Sequence, residues 1–268
     1  MVNKVLAFLK KDFLIESSYN LSFLFNIFVI LLSILSYYFI DKLFGQRIVT
    51  HLEEFGVNYF SYVLLSMAFF SYIGVGLGSF SERIRTEQIQ GTLEAILLSP
   101  TKISTILFSL AIWNLILATV EMLIYIGFGV FLFKIDFSHM NILSTLLVFT
   151  LSLLSFSSMG IISASFVIVF KRGNPLDWII NNLEGLLGGV YFPITILPGF
   201  LQLLAKFFPI TYAIRAFELA VYRGYSVMQL RNEITFLLVF PLILFPLSLY
   251  LFKYSLARAR KEGSLVKY

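Results

Sequence analysis

The sequence predicts an all-α integral membrane protein: one transmembrane domain over residues 1–268, with six spanning helices. Three observations predict it. Hydrophobic residues make up 59% of the chain and charged residues only 13%, mean hydropathy is +0.89, and apolar runs of roughly 20 residues recur along its length. A soluble domain of this size needs far more polar surface. With no cysteine, neither a disulfide framework nor a thiolate metal site is available. The net charge of +5 is read through its distribution among the loops rather than as a nucleic-acid signal.

Residues 1–21 come first, with Val2, Val5, Leu6, Leu9 and Phe13 at helical spacing and Lys4, Lys10 and Lys11 displaced from that stripe. This pattern predicts an amphipathic helix lying in the membrane interface, lysines toward headgroups. A cleaved signal peptide fits poorly, because the next apolar run is too long and ends in Ile40-Asp41-Lys42 without a small-residue cleavage site. Spans follow near 22–40, 57–80, 104–133, 141–170, 177–197 and 233–252, each able to cross a core of about 30 Å at ~1.5 Å per residue.

With the N-terminus in the cytosol, residues 1–21, 81–103, 171–177 and 253–268 share that side. They hold three, three, two and five lysines and arginines, against two, one and four in the opposite segments, so thirteen of the 20 lie inside. The positive-inside rule therefore puts both termini in the cytosol of a multi-pass protein of the plasma (inner) membrane.

Residues 193–232 are too apolar for a free loop and too broken for a full span. Pro193, Pro198 and Pro209 cut them into short pieces, which predicts broken re-entrant or interfacial helices on the outer side. One more ordinary span here would make seven crossings and turn the basic tail outward.

The charged island at residues 81–103 contains SERIRTEQIQGTLEAILLSPTK. Glu82, Arg83, Arg85, Glu87 and Glu94 share it with Leu93, Ile96 and Leu97 on one helical face, Gly91 interrupts the helix, and Ser99-Pro100 starts the next span. From physics alone it is either a rigid amphipathic helix pinned between two spans or a solvated loop.

This run resembles the loop between the second and third spans of type-2 ATP-binding-cassette exporter permeases, where E-R-E-x-G-T-L-E-x-L-x-x-[ST]-P recurs. Glu87, Gly91, Thr92, Leu93, Glu94, Leu97, Ser99 and Pro100 carry the match, and Glu87-Gln88-Ile89-Gln90 replaces the more usual charged tract. Leu197-Pro198, then Phe208-Pro209-Ile210-Thr211-Tyr212, Arg215 and Gly224 are similar to the family's L-P…P-x-[ST]-Y…R…G segment before the last span. The resemblance implies a permease subunit that dimerises with a second copy, likewise seated on one of two cytosolic ATPase subunits. It also implies that residues 82–100 act as the coupling helix in the ATPase cleft. ATP and magnesium would sit on the ATPase: this chain binds no cofactor and has no G-x-x-x-x-G-K-[ST] phosphate loop. The cargo implied is a drug or lipid, with polysaccharide or lipid-linked glycan as the second choice; no nucleic-acid partner is expected.

Glu121 and Glu184 are carboxylates at or near membrane depth, where a charge costs about 2.5–3.5 kcal/mol at a span centre. With Pro198, Pro209, Tyr212 and Arg215 they are the residues expected to line or gate a pathway, against the simpler reading of structural hydrogen bonds. Gly74 and Gly78, and Gly185 and Gly189, each form a G-x-x-x-G spacing that permits close helix approach. Six serines of the fourth span, from Ser152 to Ser165, are read as packing residues. An intramembrane enzyme is disfavoured: His51 and His139 lie in separate outer loops, and Ser157 and Ser158 lack a membrane histidine base. A channel or non-transporting scaffold stands as the reading from another class.

Overall fold

A computed structural model describes residues 2–16, 20–98, 103–170 and 182–261. The described residues are helical, without a strand. The helices are α1 (Val2–Glu16), α2 (Asn20–Ile48), α3 (Tyr59–Ile89), α4 (Leu93–Leu98), α5 (Ile103–Phe131), α6 (Ile142–Phe170), α7 (residues 182–187), α8 (Gly199–Ala205), α9 (Pro209–Tyr222) and α10 (Arg231–Lys261). Five of them, α2, α3, α5, α6 and α10, are long and apolar enough to cross a membrane. Wide faces of Leu, Phe and Ile on α2 and α10, including Leu24, Phe28, Leu242 and Ile243, stay more than half exposed, as a lipid-facing surface requires. The chain is a multi-pass membrane protein.

α6 is the central helix, packed along both α3 and α10, while α3 also packs along α5. Its closest approach is set by glycine. A Cβ at Gly160 would stand 2.4 Å from the Leu77 carbonyl oxygen and 2.7 Å from that of Gly76, so α3 and α6 touch backbone to backbone there. Within the chain, space around Gly78 is open to 4 Å, and Gly189 has φ +86° in a turn. Buried serines of α6 bond to their own helix: Ser155 donates to the Leu151 carbonyl at 2.9 Å, Ser158 to Leu154 at 2.7 Å and Ser165 to Ile161 at 2.9 Å. This is the packing role expected of them.

The predicted fifth span, 177–197, does not continue as one helix. Residues 177–181 lie outside the described part, and α7 ends at Gly188-Gly189. The Gly189 conformation excludes ordinary side chains, and a Cβ at Gly188 would collide with Ile210 at 2.3 Å. The chain turns there, passes through a 3-10 turn at Ile194–Ile196, and enters α8 and α9 with Pro198 before the first and Pro209 at the start of the second. These breaks match the pieces that the prolines predict. α9 is no surface helix: Pro209 to Tyr222 are buried except Tyr212 and Arg215.

Two apolar clusters divide the core. The larger joins α2, α3, α6 and α9 around Tyr62, Phe69, Phe156 and Phe217, with Phe69 and Phe217 stacked at 4.0 Å. The smaller lies at the end where α3 meets α4 and gathers Phe80, Ile84, Leu93, Ile106, Ile161, Ile168, Phe252 and Ala259, with Phe8 of α1 against it.

Candidate functional site

The charged island is two helices rather than one. α3 continues nine residues past the predicted end of its span, so Glu82, Arg83, Arg85 and Glu87 stand on a rigid extension of a membrane helix. Its end is a Schellman corner. The Gly91 amide donates to the Gln88 carbonyl at 3.1 Å, the Thr92 amide donates to the Glu87 carbonyl at 3.0 Å, and Gly91 takes φ +70°. α4 then runs for six residues, and Leu93, 1% exposed, anchors it in the smaller cluster with Ile96 alongside.

Outward from this corner point Glu94, Ile89 at 60% exposure and Leu98 at 76%. Glu82, Arg85, Gly91 and Thr92 are also exposed. Glu87 is not: at 2% exposure it accepts hydrogen bonds from the Lys11 ammonium at 2.6 Å and from the Thr92 hydroxyl. One turn earlier, Arg83 meets Asp12 at 2.6 Å, an ion pair by distance whose angles fall short of an aligned hydrogen bond. Consecutive residues of α1 thus grip positions i and i+4 of α3 with opposite charges. Burial pushes the Asp12 carboxyl above its ordinary value, against the opposing pull of Arg83 and Lys11.

Hence α1 turns Asp12 and Lys11 inward, while Leu6 and Phe13 stay more than half exposed. Phe13 also meets the edge of Trp113 on α5 at 6.0 Å. Leu6 and Phe13 of the apolar stripe read from the sequence lie on the outer face of α1, and Lys11 serves a carboxylate instead of a headgroup. The side chain of Leu97, together with Ser99 and Pro100, lies outside the described residues.

The residues expected along a pathway fall in separate places. Glu121 on α5 accepts from the Ser71 hydroxyl of α3 at 3.3 Å and is partly exposed. Glu184 on α7 is 1% exposed, and its Oε1 meets no partner. Pro198 and Pro209 set helix starts, and the Tyr212 ring stacks on Phe236 at 4.0 Å. Arg215 bridges Glu54, in the segment between α2 and α3, and Glu233 at the start of α10. Arg223 reinforces that tie by donating to the backbone carbonyls of Glu53 at 2.7 Å and Glu54 at 3.1 Å. Arg215 is therefore a strut between three segments at the end opposite α4.

Reasoning from the sequence missed Asp12, Glu54, Glu233 and Glu218. Glu218 is fully buried in α9, accepts from the Ser66 hydroxyl at 2.7 Å, and keeps Oε2 without a partner. Nearby, the Tyr222 hydroxyl donates to the Ser61 carbonyl at 2.8 Å and the Tyr62 hydroxyl to the Gly189 carbonyl at 2.5 Å. An acid inside the apolar run AIRAFELAVY was the available signal.

A bundle of apolar spanning helices, with one polar corner at the end of the second long helix, is the architecture of a multi-pass membrane permease. The comparison with protein families agrees: the ABC-2 type transporter model matches residues 4–222, and the chain belongs to that family. This is a permease domain distinct from the ATPase, and such permeases typically work with an ATPase subunit. No curated protein sequence matches the chain.

Proposed function

We propose that this chain is the membrane subunit of an ATP-driven exporter: two copies form the pathway, and each copy seats one cytosolic ATPase subunit on its α4 corner. The observation that carries this reading is the corner's division of labour. Glu87, Thr92, Gly91 and Leu93 set its shape, leaving Ile89 outward at the end of α3 and Glu94 and Leu98 outward on α4, a helix too short to move by itself. A push on α4 passes through Leu93 and Ile96 into α5, α6 and α10, and through the ion pairs into α1. ATP and magnesium belong to the ATPase.

In this reading both termini are cytosolic in the plasma membrane, and α8 and α9 are re-entrant helices at the outer leaflet. Glu54, Arg215 and Glu233 then hold that outer end closed until the stroke arrives. The cargo is amphipathic, a drug or lipid rather than a glycan.

Co-purification of the chain with co-expressed ABC ATPase subunits from the same genome tests the docking. Leu98→Asp and Glu94→Lys alter only outward side chains, so both should keep the protein monodisperse and abolish the association. Unchanged association in both variants would refute the docking surface.

A further inference from the structure

A polar groove of about 550 Å³ runs between α2, α3 and α5, where apolar packing is expected of membrane helices. Its floor on α3 is the stripe Ser71, Gly74, Gly78, Ser79 and Glu82, about 16 Å along the axis. Asn114 and Glu121 of α5 and Asn26 of α2 face it across that stripe. Gly78 opens the space, since nothing lies within 4 Å of where its Cβ would be. α5 returns antiparallel to α3, so Glu82 marks the end near α4 and Glu121, with Ser71, the deep end.

Three features give the groove its chemistry. It has two carboxylates, and no lysine or arginine is among the described residues lining it. Its neutral polar groups, Asn26, Asn114 and the serines, offer acceptor oxygens. Glu121 stands only partly exposed at the deep end, where the Ser71 hydroxyl donates to its carboxylate at 3.3 Å. A polar wall with a net negative charge, set between apolar helices, stabilises a cation and repels an anion.

We propose that this groove takes the cationic head of an amphipathic cargo, an ammonium or related organic cation, with Glu121 as its counter-ion. The proposal rests on the exporter reading for the word cargo alone, since binding is a property of this chain. Glu82, exposed at the entrance, draws the cation in. Glu121 holds it deeper, and Asn114 supplies a neutral contact. The cargo's apolar part stays among Val75, Leu117 and Ala118 or in the adjoining bilayer.

Tetraphenylphosphonium and tetraphenylborate test it, being near-identical in shape and opposite in charge. Binding of each is measured by equilibrium dialysis against the full chain in zwitterionic nanodiscs, with empty nanodiscs subtracted. The cation should bind saturably and the borate should not. Glu121→Gln keeps the Ser71 hydrogen bond and should weaken the cation by about tenfold, the size of one lost charge-assisted contact. Gly78→Leu fills open space without touching the backbone packing and should remove saturable binding. Equal binding of both ions, no saturable binding, or an unaltered affinity in Glu121→Gln overturns the proposal. Association with the ATPase but no cation binding overturns this site and leaves the exporter reading intact; cation binding with no ATPase association overturns the exporter reading alone.

Discussion

Cutting the ion pair between α1 and α3 from its two sides should have unequal costs, because burial differs between the partners. The Asp12 side chain is 3% exposed and that of Arg83 is 18% exposed. Arg83→Leu strands a carboxylate where almost no water reaches it. Removing one partner of a buried pair costs about 3–5 kcal/mol, and the lower end applies here because Asp12 can relieve part of the cost by taking up a proton. Asp12→Asn leaves a guanidinium with some access to water and preserves shape, so about 1 kcal/mol or less is expected. In Asp12→Asn/Arg83→Leu no buried charge remains, and the double variant should be more stable than Arg83→Leu alone.

The cycle therefore has a coupling energy of about 2 kcal/mol, well above the ~0.5 kcal/mol scatter of independent sites. Unfolding in mixed micelles titrated with SDS, followed by tryptophan fluorescence, measures all four proteins. Additive losses, or equal losses from the two single variants, would refute the reasoning. The pH dependence has a definite sign. Burial raises the Asp12 carboxyl above its ordinary value of 3.8, so the folded protein holds this proton more tightly than the unfolded chain. The group's contribution is fully present below 3.8 and is lost as pH rises through the folded value. Asp12→Asn should remove that part of the slope.

Three further outcomes follow from local geometry. Gly160→Ala drives a methyl group into the Leu77 and Gly76 carbonyls and should cost about 1–3 kcal/mol in the same titration, whereas Gly78→Ala, in open space, should change stability by about 0.5 kcal/mol or less. Gly91→Ala meets no atom within 4 Å, so its whole cost is the left-handed backbone, about 1–2 kcal/mol, and Gly91→Asn should recover much of it; the loss should appear as faster proteolysis at the α3–α4 corner. Glu218→Gln retains an acceptor for the Ser66 hydroxyl and should be well tolerated, while Glu218→Ala leaves that buried hydroxyl unpaired for about 1–3 kcal/mol, measurable as a lower thermal midpoint in detergent.

Hydropathy made the long helices legible because a span has to be apolar along its whole length, whichever neighbours it meets. Prolines announced the breaks around α8 and α9 because their effect on the backbone is local. What stayed hidden depends on partners distant in sequence. Lys11 reads as a headgroup ligand until Glu87, 76 residues away, is placed beside it. The closest helix approach within the chain is made by Gly160 against Gly76 and Leu77, and Gly160 has no second glycine four residues away to announce it. Glu218 was visible as an acid in an apolar run, but only the fold supplies Ser66 as its donor.

The run from Glu87 to Leu98 can be understood position by position as a folding unit that separates shape from recognition. Glu87 receives the Thr92 amide on its carbonyl and the Thr92 hydroxyl on its carboxylate, so one residue closes the corner through backbone and side chain together. Gly91 supplies the one backbone conformation that lets Thr92 reach back. Leu93 then fixes the direction of α4 by burying itself between α3 and α5. With these positions committed, variation at Glu94 or Leu98 alters what the corner presents without altering where it sits. A substitution at Glu87 does the reverse: it should loosen α1 and α4 together, so an ATPase that docks here would lose affinity through a residue it never touches. Glu87→Ala should therefore lower ATPase association and speed cleavage of α1 by protease in parallel, whereas Leu98→Asp should lower association alone. Association lost with α1 protection unchanged in Glu87→Ala would mean that Glu87 meets the partner directly and that the corner is not the unit described.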